Sequence, residues 1–395
     1  MRAIRAGGAA TLLAVLALAP ATPARAEVTC APPAAPGPQP SGVPWPQARY
    51  DLHRLAGIAD GGGVTVAVVD SGVDATHPQL TGTVVRGEDL LTPGGTGQRD
   101  CVGHGTAVAS IIAAAPRPGV EFAGLAPKAR IAPFRVTERE VVDGHPQGRE
   151  GSPEGLARAI RDAADQAQVI NLSLTQEADD PQLRAAVGYA VSRDVVVVAA
   201  VGNAHQDNGA DPPSYPAAYP GVLGVGAVDE TGNRVVQSQV GSYVRLVAPG
   251  SNVTVAARGQ GLAAYSGTSV AAPFVSATAA LIRQYHPGLH ADQVIARILA
   301  TTDPAPGGRP SPGYGYGILN PYRAVTEQLA AVPSTGSAPV PVPPAGAARS
   351  TAPPTTNRAT ALVLAAAGVL LAGLIGLGAT VLPRGIARRW RPGRT

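Results

Sequence analysis

The chain has 395 residues, of which 45% are hydrophobic, 15% charged and only 4% aromatic. That length supports one large α/β domain or two smaller ones, with a core carried by Ala, Val and Leu. The formal charge of +4 rests on eight arginines near the ends (Arg2, Arg5, Arg25, Arg384, Arg388, Arg389, Arg391 and Arg394); the remainder carries −4, which excludes the basic footprint of a nucleic-acid-binding protein.

Residues 1–26 read as a signal peptide. Arg2 and Arg5 start it, residues 9–19 are mostly apolar yet too short to span a bilayer, and Ala24-Arg25-Ala26 has the form of a cleavage site. A Pro-rich extension follows at 27–49 and carries Cys30. The only other cysteine is Cys101. An even count in an exported chain favours a Cys30–Cys101 disulfide over two free thiols, and such a bond would strap the extension beside His104.

Residues 50–329 alternate strand-like and helix-like patterns. A Val-rich run at 64–69 ends on Asp70. Residues 104–114 read as a helix, 130–136 as a strand, and the polar segment 137–152 as an exposed loop. A helix opened by Ser152 is expected over 152–167, then a buried strand over 169–174 and a helix over 181–193. Buried strands over 195–201 and 222–228 and a long helix over 268–285 complete the pattern. Near-continuous apolar strands alternating with helices predict a mostly parallel sheet covered on both faces, with ligands at the carboxyl ends of its strands.

Residues 330–358, rich in Pro, Ala, Ser and Thr, read as an extended linker. The uncharged apolar stretch at 360–382 is long enough to cross a ~30 Å hydrocarbon core, so a transmembrane helix is expected at 359–382. The arginines of the tail, 383–395, put that tail in the cytoplasm and everything before the helix outside.

Four segments carry the chemistry. Asp70 begins Asp70-Ser71-Gly72, His104 lies in Gly103-His104-Gly105-Thr106, Asn203 ends Ala199-Ala200-Val201-Gly202-Asn203, and Ser269 lies in Gly267-Thr268-Ser269-Val270-Ala271-Ala272-Pro273. Singly, each has an ordinary reading: a turn, a helix-start histidine, another turn, an N-cap. Together, in the order Asp, His, Asn, Ser and each at a strand end or helix start, they resemble the subtilase family over residues ~50–325. That order differs from those of chymotrypsin and the α/β-hydrolases.

The resemblance implies a three-layer, subtilisin-like α/β fold and a serine endopeptidase with the triad Asp70, His104 and Ser269. Ser269 would attack, His104 would act as base and then acid, and Asp70 would hold the imidazole. The backbone N–H of Ser269 and the side chain of Asn203 would form the oxyanion hole. By the same resemblance, Leu172, Ser173 and Leu174 would pair with the substrate as an added strand, and Ala200, Val201 and Gly202 would line the specificity pocket. Here the chain departs from the family: subtilisins usually continue Ser-Leu with Gly-Gly, whereas this chain has Thr175-Gln176. No clustered His or Cys spacing indicates zinc, so no metal site is assigned and the implied reaction needs no cofactor. Subtilases often hold structural calcium through scattered carboxylates and carbonyls.

The whole arrangement resembles the mycosins, membrane-bound subtilases of actinobacterial type VII secretion systems. The bias to Arg over Lys, with Lys128 alone, fits such a source, although mycosins usually carry more cysteines. The extension at 27–49 is too short for the folded prodomain of many subtilases and is expected to stay wrapped on the domain. The implied partners are a polypeptide substrate, the membrane and a type VII secretion membrane complex. Two functions follow: limited proteolysis of exported protein, or a structural subunit of that complex with dispensable protease activity.

Overall fold

The structure, a computed structural model of the chain, describes Cys30, Pro32, Pro33 and residues 42–142, 145–206 and 211–329. The expected signal peptide, most of the extension, the linker, the membrane helix at 359–382 and the basic tail lie outside those residues. Among the described residues, no helix is long and apolar enough to cross a membrane.

The chain opens with two short helices, α1 (Trp45–Tyr50) and α2 (Leu52–Ala56), followed by β1 (Thr65–Asp70), β2 (Glu88–Asp89), α3 (His104–Ala113) and β3 (Arg130–Arg135). Next come β4 (Glu140–Val142), β5 (His145–Gln147), α4 (Pro153–Ala164), β6 (Val169–Leu172), α5 (Pro181–Ser192), β7 (Val196–Ala200) and β8 (Val222–Val228). The last elements are β9 (Leu246–Pro249), β10 (Val253–Ala256), β11 (Leu262–Tyr265), α6 (Thr268–Tyr285), α7 (Ala291–Ala300) and α8 (Pro321–Thr326).

Seven strands form one sheet in the order β2-β3-β1-β6-β7-β8-β9. Every neighbouring pair in it is parallel. The strands are apolar on both sides because both sides are covered. Side chains alternate between the faces: Val66 and Val68 of β1 join the core under α3 and α6, while Ala67 and Val69 join the core under α4 and α5. Ile160, Ile170 and Leu172 are fully buried in the second core, each contributing about 1.5–3 kcal/mol of transfer free energy. This is the α/β architecture expected from the sequence, a parallel sheet between helical layers.

Local chemistry sets the helix starts. Ser152 accepts from Gly155 N, with Pro153 in the first turn, where its missing N–H costs nothing. Asp180 accepts from Gln182 N and Leu183 N ahead of α5, again with a proline, Pro181, at the start. The segment expected as a loop, 137–152, instead holds the antiparallel pair β4–β5. Arg139–Glu150 and Arg149–Glu138 ion pairs at 2.8 and 3.1 Å close its base. Its three-residue strands are too short to show a period-two pattern in sequence.

The sheet order positions the site. β1 lies between β3 and β6; the chain leaves it first toward β3 and β2 and later toward β6 through β9. The crevice at such a switch point, outside the carboxyl ends of β1 and β6, is where open α/β sheets bind ligands.

Candidate active site

Asp70 ends β1 at this crevice and is 2% exposed. Its Oδ1 accepts from Ser71 N at 2.7 Å and lies 2.8 Å from His104 Nδ1. His104 opens α3. The close approach depends on Gly105, where a Cβ would stand 2.0 Å from the Gly72 carbonyl oxygen. On its other side, the His104 ring stacks on Tyr265 with centroids 6.4 Å apart. Burial disfavours the imidazolium, but the charge of Asp70, its hydrogen bond and the charge of Asp100 outweigh burial, so the His104 pKa is raised.

Ser269 sits in the first turn of α6, where the backbone N–H groups have no intrahelical acceptor. Its carbonyl is freed as well. Pro273, four residues on and inside the helix, has no N–H to donate to it. The orphaned oxygen is satisfied by Ser173 Oγ at 2.7 Å. Ser173 Oγ in turn accepts from Asn171 Nδ2 at 2.8 Å, and Asn171 Oδ1 accepts from Ser276 Oγ at 2.8 Å. A chain of buried hydrogen bonds therefore ties the start of α6 to the end of β6. Among the hydrogen bonds of the described residues, none joins the Ser269 hydroxyl to His104. Such bonds are often long before substrate binds.

Asn203 stands just beyond the carboxyl end of β7. Its Oδ1 accepts from Thr268 N at 2.8 Å, which leaves the amide nitrogen as the end free to donate. Gly267, with φ of 140°, makes room for it: a Cβ there would come within 3.1 Å of Asn203 Nδ2. The loop bearing Asn203 is held from the opposite side by Gln239 N donating to Gly202 O at 3.0 Å and His205 N donating to Gln237 O at 3.1 Å. Asp211 Oδ2 completes the hold, accepting from Val240 N at 2.6 Å and facing His205 Nδ1 at 2.7 Å.

The two predicted binding segments end adjacent strands, with Leu172 in register with Ala199. The side chains of Leu172, Ala200 and Val201 are in the core, so these positions offer main chain rather than side chain to the crevice. Ser173 uses its hydroxyl on Ser269, as described, and Leu174 is half-buried. A cavity of about 430 Å³ lined by Pro213, Tyr215, Tyr219 and Tyr243 includes none of these residues. Cys30 and Cys101 are bonded to each other, which places the start of the described chain beside the loop leading to His104. Among the described residues, no group of three or more His, Cys, Asp or Glu gathers as a metal site.

Sequence reasoning missed Asn171, Thr268 and Tyr265. The signal for Asn171 was present: it is the one polar residue in the otherwise apolar β6, and a polar group placed there needs partners. Tyr265 reaches His104 only through tertiary packing, which leaves no local mark.

A family model described as the subtilase family matches residues 61–317. Mycosin-1 of Mycolicibacterium smegmatis is 34% identical over 382 residues, 85% of this chain and 83% of that protein. Among solved structures, a serine protease MycP1, described as an essential component of the type VII (ESX-1) secretion system, superposes with a TM-score of 0.64 at 35% identity. It covers 76% of this chain and 93% of that one. A structure of the periplasmic assembly from the ESX-5 inner membrane complex gives a TM-score of 0.64 at 31% identity, over 76% of this chain and 90% of that one.

Proposed function

The chain belongs to the subtilase family and is a subtilisin-like serine peptidase related to the mycosins, and from that premise we propose that it is a membrane-anchored endopeptidase performing limited proteolysis of exported protein at a type VII secretion system. The observation that carries the hydrolytic reading is the 2.8 Å contact between His104 Nδ1 and the buried Asp70. It fixes the imidazole with Nε2 turned away from Asp70, available to take a proton from Ser269. Ser269 Oγ then attacks the scissile carbonyl. Asn203 and the Ser269 N–H donate to the oxyanion, and His104 returns its proton to the leaving amine. An exposed serine hydroxyl is a weak nucleophile at neutral pH, so the base is indispensable. Water, deprotonated by His104 in the same way, then attacks the acyl-enzyme, and Ser269 leaves with the proton, which restores the site.

The substrate lies as an extended strand along 172–174, with the residue before the cut beside 200–202. The membrane reading rests on sequence: a cleaved leader at 1–26, a linker at 330–358, a spanning helix at 359–382 and a basic cytoplasmic tail, which together hold the peptidase domain outside the cell membrane.

The likeness to a chain in the ESX-5 periplasmic assembly supports a second role, as a stabilising subunit of a secretion complex. Ser269→Ala separates the two. Proteolysis predicts that purified full-length protein cleaves peptides and that Ser269→Ala does not. Secretion that survives Ser269→Ala but fails on gene deletion assigns the essential role to the subunit, and a wild-type protein no faster than Ser269→Ala removes the peptidase reading.

A further inference from the structure

Four residues before His104 lies a second carboxylate, Asp100, that is only 4% exposed. Its Oδ1 accepts from Ser71 Oγ at 2.9 Å, Val102 N at 3.0 Å and Gly103 N at 2.7 Å. Its Oδ2 accepts from Thr106 N at 2.9 Å and Thr106 Oγ1 at 2.6 Å. The three backbone groups can only donate. Both hydroxyls already accept a backbone N–H: Ser71 Oγ from Gly105 N at 2.9 Å and Thr106 Oγ1 from Asp74 N at 2.9 Å. Their own protons are thus directed at Asp100. A protonated Asp100 could donate only by turning one of these hydroxyls away, so the five donors favour the ionised form. No ion pair of the described residues compensates it, and burial raises its pKa against the pull of the Thr106 and Gly103 donors. A buried carboxylate without a counter-ion is costly to a fold, and this one, held by hydrogen bonds alone, sits behind the Asp70–His104 pair.

We propose that Asp100 is a positioning residue of the hydrolytic site, clamping Ser71 on one side and residues 102, 103 and 106 on the other so that the Asp70–His104 hydrogen bond is set, and favouring by its charge the imidazolium that forms when His104 takes the serine proton. The proposal rests on the triad reading given above. Its mechanical half follows from connectivity. Ser71 N is a donor to Asp70 Oδ1, so a displaced Ser71 moves Asp70, while Gly103 and Gly105 bracket His104 directly. Its electrostatic half follows from position, because the Asp100 charge acts on His104 in the same direction as that of Asp70. Other polar or charged groups of the described residues lie around this cluster. Asp74 follows β1 and bonds Gly259 N, and the Arg258 side chain lies near Gly103. Arg135 on β3 is engaged by Asp89 and Glu138, and Tyr265 on β11 stacks on the ring.

The test compares full-length wild type, Asp100→Asn, Ser71→Ala and Ser269→Ala in detergent, recording kcat, KM and the pH profile of kcat/KM on one peptide, with thermal unfolding of each. Asp100→Asn keeps the shape but removes the charge and turns one acceptor into a donor facing Thr106. The expected result is a kcat lower by about 10²-fold, the scale of a misplaced catalytic group, with KM held within about twofold. The acid limb moves to lower pH, because His104 loses a neighbouring negative charge. A purely structural residue would lower kcat without moving that limb. Folded Asp100→Asn with wild-type kcat, or with an unmoved acid limb, overturns the proposal. If Asp100→Asn does not fold, Ser71→Ala decides: it removes one bond to Asp100 and must lower kcat at unchanged KM, and a wild-type kcat overturns the proposal. A wild type faster than Ser269→Ala beside an Asp100→Asn of full activity removes this proposal alone. A wild type no faster than Ser269→Ala removes the triad reading and this proposal with it.

Discussion

At His104, burial and charge pull in opposite directions, and the pH dependence of hydrolysis follows from which prevails. Burial disfavours the imidazolium; Asp70 and Asp100 favour it and win, so the pKa is raised. A general base must be neutral in the free enzyme, so the acid limb of kcat/KM is expected above the ordinary histidine value of about 6.5. Asp70→Asn should bring that limb down and cut kcat by about 10⁴-fold, and a pH–rate profile checks both. The raised pKa contributes stability that is fully present below the unfolded value and is lost as pH rises through the folded one. In the proposed mechanism Asn203 acts only on the developing oxyanion, its other end being held by Thr268 N. Asn203→Ala should therefore lower kcat by about 10²–10³, with KM little changed in steady-state peptide hydrolysis.

The start of α6 is set by a buried polar chain rather than by the helix itself. Pro273 leaves the Ser269 carbonyl without a helical donor, and Asn171, fully buried on β6, holds the hydroxyl that replaces it. Asn171→Ala strips two hydrogen bonds from buried hydroxyls, a loss of about 1–3 kcal/mol. Urea unfolding should show a lower midpoint at unchanged slope, and peptide hydrolysis should show reduced kcat. Elements with long apolar runs were legible in sequence, and so were the residues at or just beyond their ends: Asp70 at the end of β1, His104 at the start of α3, Asn203 past β7 and Ser269 in the first turn of α6. Several short elements were not, although the four-residue β6 was, and the ten-residue α7 went unread as well. Helix α1 has six residues, β9 and β10 four each, and so few positions show no reliable period. The pair β4–β5 was hidden for the same reason. Of the residues expected to line the specificity pocket, Val201 has its side chain in the core, and that burial left no mark in the sequence.

At the scale of the whole chain, the proposed activity and the proposed location are carried by different residues. The parallel sheet, its two helical layers and the hydrogen bonds around Asp70, His104, Asn203 and Ser269 belong to residues 42–329, whereas the proposed anchoring is encoded at 359–382. A chain ending at residue 340 should leave the membrane fraction and keep the kcat of the full chain, as carbonate extraction and peptide hydrolysis would show; membrane retention of the truncated chain counts against the anchor. In the proposed site, three distant segments make one serine a nucleophile. This is tested most directly by treating the detergent-solubilised, folded protein with a fluorophosphonate and mapping the adduct by mass spectrometry. A single adduct on Ser269, abolished in His104→Ala, is the expected result. Folded protein with no adduct on Ser269, or with equal labelling when His104 is replaced, would contradict it.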